Sequence, residues 1–170
     1  QHETHIYGNI LYNNWGFTAG IASKGTNHIY NNFIVALQKV PSSGYISFEW
    51  VPVPGSKVYK NIIISHPDGG KAYGERPRRD QTTNLPDLMK TEMDSNLYYH
   101  PANPEWMEEH FQRTRTGGLE LASLFGDPFF TDPEGGDFSF KEGSPALKLG
   151  IEPLDISRMG RVDPEIFKLK

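Results

Sequence analysis

Short apolar runs on either side of an asparagine recur four times between residues 5 and 99. The four copies span residues 5–12, 28–35, 57–64 and 92–99. Their first residues are 23, 29 and 35 positions apart, and repeats of this length are typical of stacked coils. The isoleucine, valine and tyrosine residues in both halves of each copy suit strands on a half-buried sheet. The pattern therefore predicts a β-solenoid.

One asparagine occupies the same place in every copy: Asn9, Asn32, Asn61 and Asn96. Asparagine tolerates the left-handed backbone that a sharp corner requires, so we expect each one to adopt it. We also expect each side-chain amide to bond the equivalent amide in the coil above and the coil below, forming an asparagine ladder. The alternative is four unrelated β-hairpin turns. The matching of the flanking apolar residues favours the ladder.

The connections between the copies supply the rest of each coil. Residues 20–25 and 45–50 predict a third strand in the first two coils, with Ile21 stacked on Ile46. Alternation along these strands would then place Lys24 and Glu49 side by side on the outer face, about 5 Å apart. The third coil is interrupted by a long excursion over residues 66–91. Long loops on a rigid repeat are often functional.

The pattern changes after the fourth copy. Asn103 and Pro104 are a favourable N-cap and first residue for a short surface helix over 105–115, which Gly117 and Gly118 would end. Residues 129–131 and 137–141 predict two strands joined by an acidic turn. The proline-containing segment from Ser144 onward is expected to be an extended closing tail.

Composition agrees with an all-β chain, because 17 glycines and 13 prolines in 170 residues allow many turns. We expect a single domain over 1–170, with regular coils over 1–100, a helical insertion over 101–118, and terminal strands and tail over 119–170. The net charge of −4 and the scattered basic residues argue against a general nucleic-acid-binding protein. The absence of cysteine excludes disulfides and thiolate metal sites. No apolar run approaches the ~20 residues of a membrane helix.

The first repeat begins almost at Gln1, with no polar element to cap the open end of a stack. Solenoids need such caps for solubility, since an open end exposes strand edges. The sequence therefore predicts the C-terminal part of a longer protein, with earlier N-terminal coils as its neighbours.

The second half of the chain carries a family resemblance. Its motifs are Asp94-Ser95-Asn96-Leu97-Tyr98-Tyr99, Gly126-Asp127-Pro128-Phe129-Phe130-Thr131-Asp132-Pro133, Gly136-Asp137-Phe138-Ser139-Phe140 and Gly143-Ser144-Pro145-Ala146-Leu147-Lys148-Leu149-Gly150. They resemble the closing coils of right-handed parallel β-helix proteins of the pectate-lyase-like superfamily. The resemblance implies a right-handed parallel β-helix in a secreted, periplasmic or cell-surface bacterial protein that acts on carbohydrate. It assigns no catalytic residues, because no catalytic motif of the family matches.

The candidate site is the outer face of the third strands together with the neighbouring loops. Hydrolysis of a glycosidic bond needs two carboxylates, about 5–5.5 Å apart for retention or about 6.5–9.5 Å apart for inversion. Glu49 and Asp68 are the predicted catalytic pair. The predicted substrate-binding residues are Trp15, Lys24, His66, Tyr73 and Arg76, which combine aromatic surface with polar groups.

We expect a glycoside hydrolase that acts on a polysaccharide or oligosaccharide with paired carboxylates. The alternatives are, in order, a non-catalytic carbohydrate-binding or surface β-helix and a polysaccharide lyase. In a lyase, Lys24 or an arginine of residues 76–79 would abstract a proton beside a uronate carboxylate. No cofactor is expected.

Each candidate residue also has a purely structural interpretation. Glu49 with Lys24 suits a cross-strand ion pair, residues 66–69 suit an ordinary turn, and Trp50 has the parity of a core residue. The arginines of residues 76–79 suit a solvated charge run, and Trp15 suits a loop cap. The acidic residues 127–137 suit a plain turn as well as a Ca²⁺ site.

Overall fold

The computed structural model describes residues 3–14, 20–39, 44–80, 82–83 and 85–156. Three parallel sheets stack into a β-solenoid of about four turns, which confirms the predicted fold class. Sheet 1 contains β1 (Thr4–Tyr7), β4 (Asn27–Tyr30), β7 (Lys57–Tyr59) and β10 (Glu92–Asp94). Sheet 2 contains β2 (Ile10–Tyr12), β5 (Phe33–Val35), β8 (Ile62–Ile64), β11 (Leu97–Tyr99) and β12 (Leu124–Phe125). Sheet 3 contains β3 (Ile21–Ser23), β6 (Ile46–Glu49) and β9 (Tyr73–Arg76).

The asparagine ladder is present at the corner between sheets 1 and 2. The side-chain Nδ2 of Asn9 donates to Oδ1 of Asn32 at 2.9 Å, Asn32 donates to Asn61 at 3.0 Å, and Asn61 donates to Asn96 at 3.0 Å. Three of the four ladder residues are fully buried, and Asn9 on the first coil is exposed. The predicted vertical register of the four copies is confirmed.

The left-handed corner residue is not the ladder asparagine itself, which corrects the sequence prediction. The positive φ values belong to the preceding residues, namely Gly8, Asn31, Lys60 and Ser95. Each of these residues turns the chain and leaves the following asparagine in ordinary backbone geometry. The ladder residue is therefore required for its amide, and the turn is made by its neighbour.

The core follows the two faces of sheet 2. Its inward side chains, such as Ile34 and Ile63, pack against inward residues of the other two sheets, such as Ile29 and Ile46. Its outward side chains form a second buried cluster with the C-terminal segment. Sheet 2 is thus buried on both faces, whereas the outer face of sheet 1 carries polar and tyrosine side chains.

The C-terminal segment packs along the outer face of sheet 2. The predicted antiparallel hairpin consists of β13 (Phe130–Asp132) and β14 (Asp137–Phe140). A short helix that the sequence analysis did not predict, α2 (Pro145–Lys148), follows with Ser144 as its N-cap. From Ile151 to Ile156 the tail has no regular secondary structure, and it bonds the second coil, where Glu152 N donates to Asn31 Oδ1 at 3.1 Å.

The surface helix α1 (Glu108–Thr116) begins later than the sequence predicts. The side chain of Asn103 accepts a hydrogen bond from Glu105 N at 3.0 Å, but residues 104–107 form turns. The helix ends at Gly117, as expected. Within the excursion of the third coil, β9 and one 3₁₀ turn, Leu88–Lys90, are ordered structure that the sequence analysis had assigned to a loop.

Candidate functional site: a groove between strand β9 and helix α1

A groove of about 720 Å³ runs between β9 and α1. It exists because sheet 3 has one strand fewer than sheet 1. The fourth coil runs through α1, which lies beside β9. Residues 69–76 line one side, and Trp106, His110 and Arg113 line the other. A helix cannot approach a strand edge as closely as another strand does, and the space between the two is the groove.

Contacts at both ends of the groove fix α1 and its preceding turn to the excursion of the third coil. At one end, Trp106 Nε1 donates to the carbonyl of Gly70 at 2.9 Å. At the other, Arg113 Nη1 lies 3.1 Å from Glu75 Oε2. Glu75 Oε1 also accepts a hydrogen bond from Leu88 N at 2.8 Å. The walls of the groove are therefore preformed.

Four polar side chains form a buried network beneath the groove: Tyr73, Tyr98, His110 and Glu120. The hydroxyls of Tyr73 and Tyr98 lie 2.7 Å apart, and the Tyr98 hydroxyl donates to Glu120 Oε1. His110 Nε2 lies 3.4 Å from the same carboxylate oxygen, and its ring stacks on Tyr73 with centroids 5.1 Å apart. His110 thus connects the groove to a buried carboxylate.

Glu120 is the most unusual member of this network. Its side chain is fully buried, and its backbone has a φ of 56°, which is uncommon for a residue with a β-carbon. Its second oxygen, Oε2, has no hydrogen-bond partner among the described residues, although buried polar atoms normally have one. Burial, followed by the charge of Glu120, raises the pKa of both Tyr73 and Tyr98, so both hydroxyls stay protonated as donors.

Chemically, an imidazole beside a buried carboxylate can accept and return a proton. Here His110 lines the groove, and its Nε2 contacts the carboxylate of Glu120 beneath the groove. The arginine and lysine side chains of the walls can pair with anionic groups, and the indole of Trp106 offers an apolar surface.

Two of the predicted substrate-binding residues, Tyr73 and Arg76, line the groove. Tyr73 is 7% exposed and directs its hydroxyl inward, so it forms the floor of the groove. Glu49 lies behind Arg76, with Oε1 accepting from Arg76 Nη1 at 2.8 Å, and it is 5% exposed. Lys24, the predicted neighbour of Glu49, places its ammonium 3.8 Å from the centre of the Trp50 ring.

Trp50 is not a core residue, which corrects the expectation that strand alternation turns its side chain inward. It is 41% exposed and has a φ of 71°. Trp50 directly follows Glu49, the last residue of β6, and its left-handed backbone departs from strand geometry. Alternation therefore fails at this position.

Two other predicted residues, His66 and Asp68, lie outside the lining of the groove. Asp68 is exposed and pairs with Lys39 at 3.3 Å, and the Nδ1 of His66 accepts from Asp68 N at 3.1 Å. Each of the two predicted carboxylates, Glu49 and Asp68, thus has its own cation. Trp15 lies outside the described residues. The catalytic assignment of Glu49 and Asp68 stays a prediction.

The residues on the helix side of the groove were not among the predicted site residues. Trp106, His110 and Arg113 are spaced by four and three residues, the spacing of one helix face. That spacing was the available signal, but the segment was interpreted only as a surface helix. Glu120 has no comparable signal, because its role depends on a turn that brings it under α1.

The acidic turn near the C-terminus uses its carboxylates locally. Oδ1 atoms of Asp127, Asp132 and Asp137 accept from backbone N–H groups two or three residues later. These bonds are those of ordinary aspartate turns.

Comparisons with models of protein families, with curated proteins and with solved structures found no match for this chain. The class that the coordinates establish is a parallel β-solenoid. Within the described residues, no helix has both the length and the apolar character needed to span a membrane.

Proposed function

We propose that the protein binds an oligosaccharide or polysaccharide in the groove between β9 and α1. The observation that carries this proposal is the pairing of a preformed, partly apolar groove with polar side chains along both walls. Its volume of about 720 Å³ lies within the range of about 300–1,000 Å³ typical of ligand sites. A secreted, periplasmic or cell-surface location belongs to the same proposal.

The lining suits sugars for two reasons. A sugar ring has an apolar face that packs on an aromatic ring, and Trp106 supplies one at the rim. Sugar hydroxyls need hydrogen-bond partners on both sides, and Lys71, Glu109 and Arg113 line the groove with donors and acceptors. The cationic residues additionally favour sugars that carry carboxylates or sulfates.

A glycan array followed by calorimetric titration tests the proposal. The informative variant is Trp106→Ala, and the matched control is Trp50→Ala, which removes a partly exposed tryptophan outside the groove. We expect Trp106→Ala to weaken binding at least tenfold and Trp50→Ala to leave it unchanged. Equal affinities of both variants and the parent for the best glycan would refute the groove as the binding site, and an array without any binder would refute the function.

Hydrolysis of the bound glycan is a second candidate function. It needs two carboxylates, and Glu75 and Glu109 line the groove while Glu120 lies beneath it beside His110. Glu120 lies 3.4 Å from His110, which lines the groove, so this pair could relay a proton to or from a bound ligand. Glu49 and Asp68, the catalytic pair predicted from the sequence, are the alternative to Glu120. Release of reducing sugar should be lost in Glu120→Gln if the groove is catalytic, and in Glu49→Gln and Asp68→Asn if that pair is.

The product also distinguishes hydrolysis from elimination. A lyase would leave an unsaturated sugar with strong ultraviolet absorbance, whereas a hydrolase would not. If no variant changes turnover, or if no glycan is cleaved, the binding function alone remains.

A further inference from the structure

Three side chains that can ligate a metal meet on the outer face of sheet 1, on the first two coils. None of them lines the groove. Glu3 and His5 are two residues apart and so point to the same side of the extended chain. His28 lies directly beside His5, because β1 and β4 pair in parallel with these two residues in register. The stacking of the coils therefore brings a carboxylate and two imidazoles together.

From this cluster we infer that Glu3, His5 and His28 form a binding site for a divalent transition-metal ion, with Zn²⁺ as the best match. One ligand atom from each residue lies within 4.8 Å of the other two. In a tetrahedral site with Zn–N and Zn–O bonds of about 2.0–2.2 Å, ligand atoms are roughly 3.4 Å apart. Binding would therefore need the ligand atoms to move closer by up to about 1.4 Å, through side-chain rotation of the exposed Glu3 and His5.

A second observation points to a ligand at the same place. The Nε2 atom of His28 is buried and has no hydrogen-bond partner among the residues that the structure describes. Glu3 Oε2 lies 4.0 Å from this atom, which is too far for a hydrogen bond. Buried ring nitrogens normally bond a partner, and a metal ion between the carboxylate and the ring would satisfy this one.

The ring geometry also suits coordination. The His5 and His28 rings lie 4.8 Å apart with an angle of 73° between their planes, so they do not stack face to face. Rings inclined in this way can direct one nitrogen each toward a shared point.

The charges around the site permit a cation. Lys57 is the next residue after His28 along the same row, and its ammonium pairs with Glu92 at 3.0 Å. Glu3 and Glu92 carry two negative charges against the one positive charge of Lys57, so these three side chains sum to a net negative charge. Two nitrogen ligands and one oxygen ligand favour Zn²⁺, Cu²⁺ or Ni²⁺ over Ca²⁺, which takes oxygen ligands.

Bound metal would join the first coil to the second. The first coil is poorly covered, with Tyr7 59% exposed. A metal held by β1 and β4 together would therefore oppose separation of β1 from the sheet, because ions that bind only the folded state stabilise it.

Calorimetric titration of the metal-free chain with Zn²⁺ tests the site. We expect one ion per chain, with the affinity reduced roughly tenfold or more in each of Glu3→Gln, His5→Gln and His28→Gln, since even loss of an outer partner costs about 10–100-fold. His66→Gln removes an imidazole elsewhere and should leave affinity unchanged. X-ray absorption of the zinc complex should show two imidazole ligands at about 2.0–2.1 Å.

Absence of binding, or equal affinity in the parent and all three ligand variants, would overturn the inference. So would a zinc shell without imidazole nitrogen. Glu3→Gln keeps the test valid if a histidine variant misfolds, because the Glu3 side chain is 60% exposed and lies outside the core.

Discussion

Replacing one interior residue of the asparagine ladder should destabilise the protein far more than replacing a terminal one. Asn61 is fully buried, and its Oδ1 accepts from both the backbone N and the side-chain Nδ2 of Asn32, at 3.1 and 3.0 Å. Its own Nδ2 donates to Asn96 Oδ1, Ile29 O and Tyr59 O. Asn61→Ala removes all of these bonds at once.

The magnitude follows from the number of bonds. Two accepted bonds and the two protons of Nδ2 give four hydrogen bonds, each contributing about 1 kcal/mol, so the loss is about 4 kcal/mol. The buried N–H of Asn32 is then left without its acceptor, which adds to this cost. Asn9→Ala, on the exposed first coil, removes two donated bonds that water can replace, and should cost about 1 kcal/mol.

Urea denaturation followed by circular dichroism measures both losses as free energies of unfolding. Asn14→Ala is the matched control, because Asn14 is an exposed asparagine outside the ladder and should change stability by about 0.5 kcal/mol or less. If Asn61→Ala costs no more than Asn9→Ala, the ladder does not stabilise the stack in the way that its hydrogen bonds indicate.

Two further predictions concern pH and the spacing of the coils. Burial lowers the pKa of His100 below its ordinary value near 6.5, and its Nδ1 accepts from Ala102 N, so the unfolded chain takes up a proton that the fold resists. Stability should therefore fall as pH decreases from about 6.5 through the lowered pKa, and equal pH slopes for the parent and His100→Asn in urea titrations would contradict this. A β-carbon at Gly44 would lie 2.5 Å from the backbone N of Gly74, so Gly44→Ala should cost about 1–3 kcal/mol in thermal unfolding. Gly126→Ala, whose β-carbon would meet only Pro145 at 3.8 Å, is the control, and equal melting temperatures would exclude the predicted clash.

The stack could be predicted from the sequence because the segment that forms it is short and occurs four times. Each copy carries the same asparagine between similar apolar residues, and parallel stacking is the arrangement that brings equal residues into contact. The position of the left-handed residue could not be assigned in the same way. Glycine, asparagine, lysine and serine occupy it in the four copies, so no residue type marks it.

Strand β9 was missed because its sequence, Tyr73-Gly74-Glu75-Arg76, has two charged residues, a glycine and no apolar alternation. It is a strand because β6 pairs with it along its whole length, from Ile46 with Tyr73 to Glu49 with Arg76. Tertiary pairing of this kind overrides weak local preference.

Only the strand side of the candidate groove contains residues that were predicted from the sequence. Tyr73 and Arg76 were selected for their chemistry, and both line the groove. The helix side could not be placed, because it depends on how α1 packs across residues far away in the chain, such as Arg113 with Glu75. The contact between His110 and Glu120 depends in turn on the left-handed backbone at Glu120.

Crystals of the protein soaked with the best-binding oligosaccharide show most directly whether the groove is a carbohydrate site. We predict density for sugar rings between β9 and α1, with one ring packed on Trp106 and hydroxyls within hydrogen-bond distance of the wall residues. Sugar bound elsewhere, for example along Tyr7, Tyr30 and Tyr59 on sheet 1, with the groove left to water, would contradict the proposal.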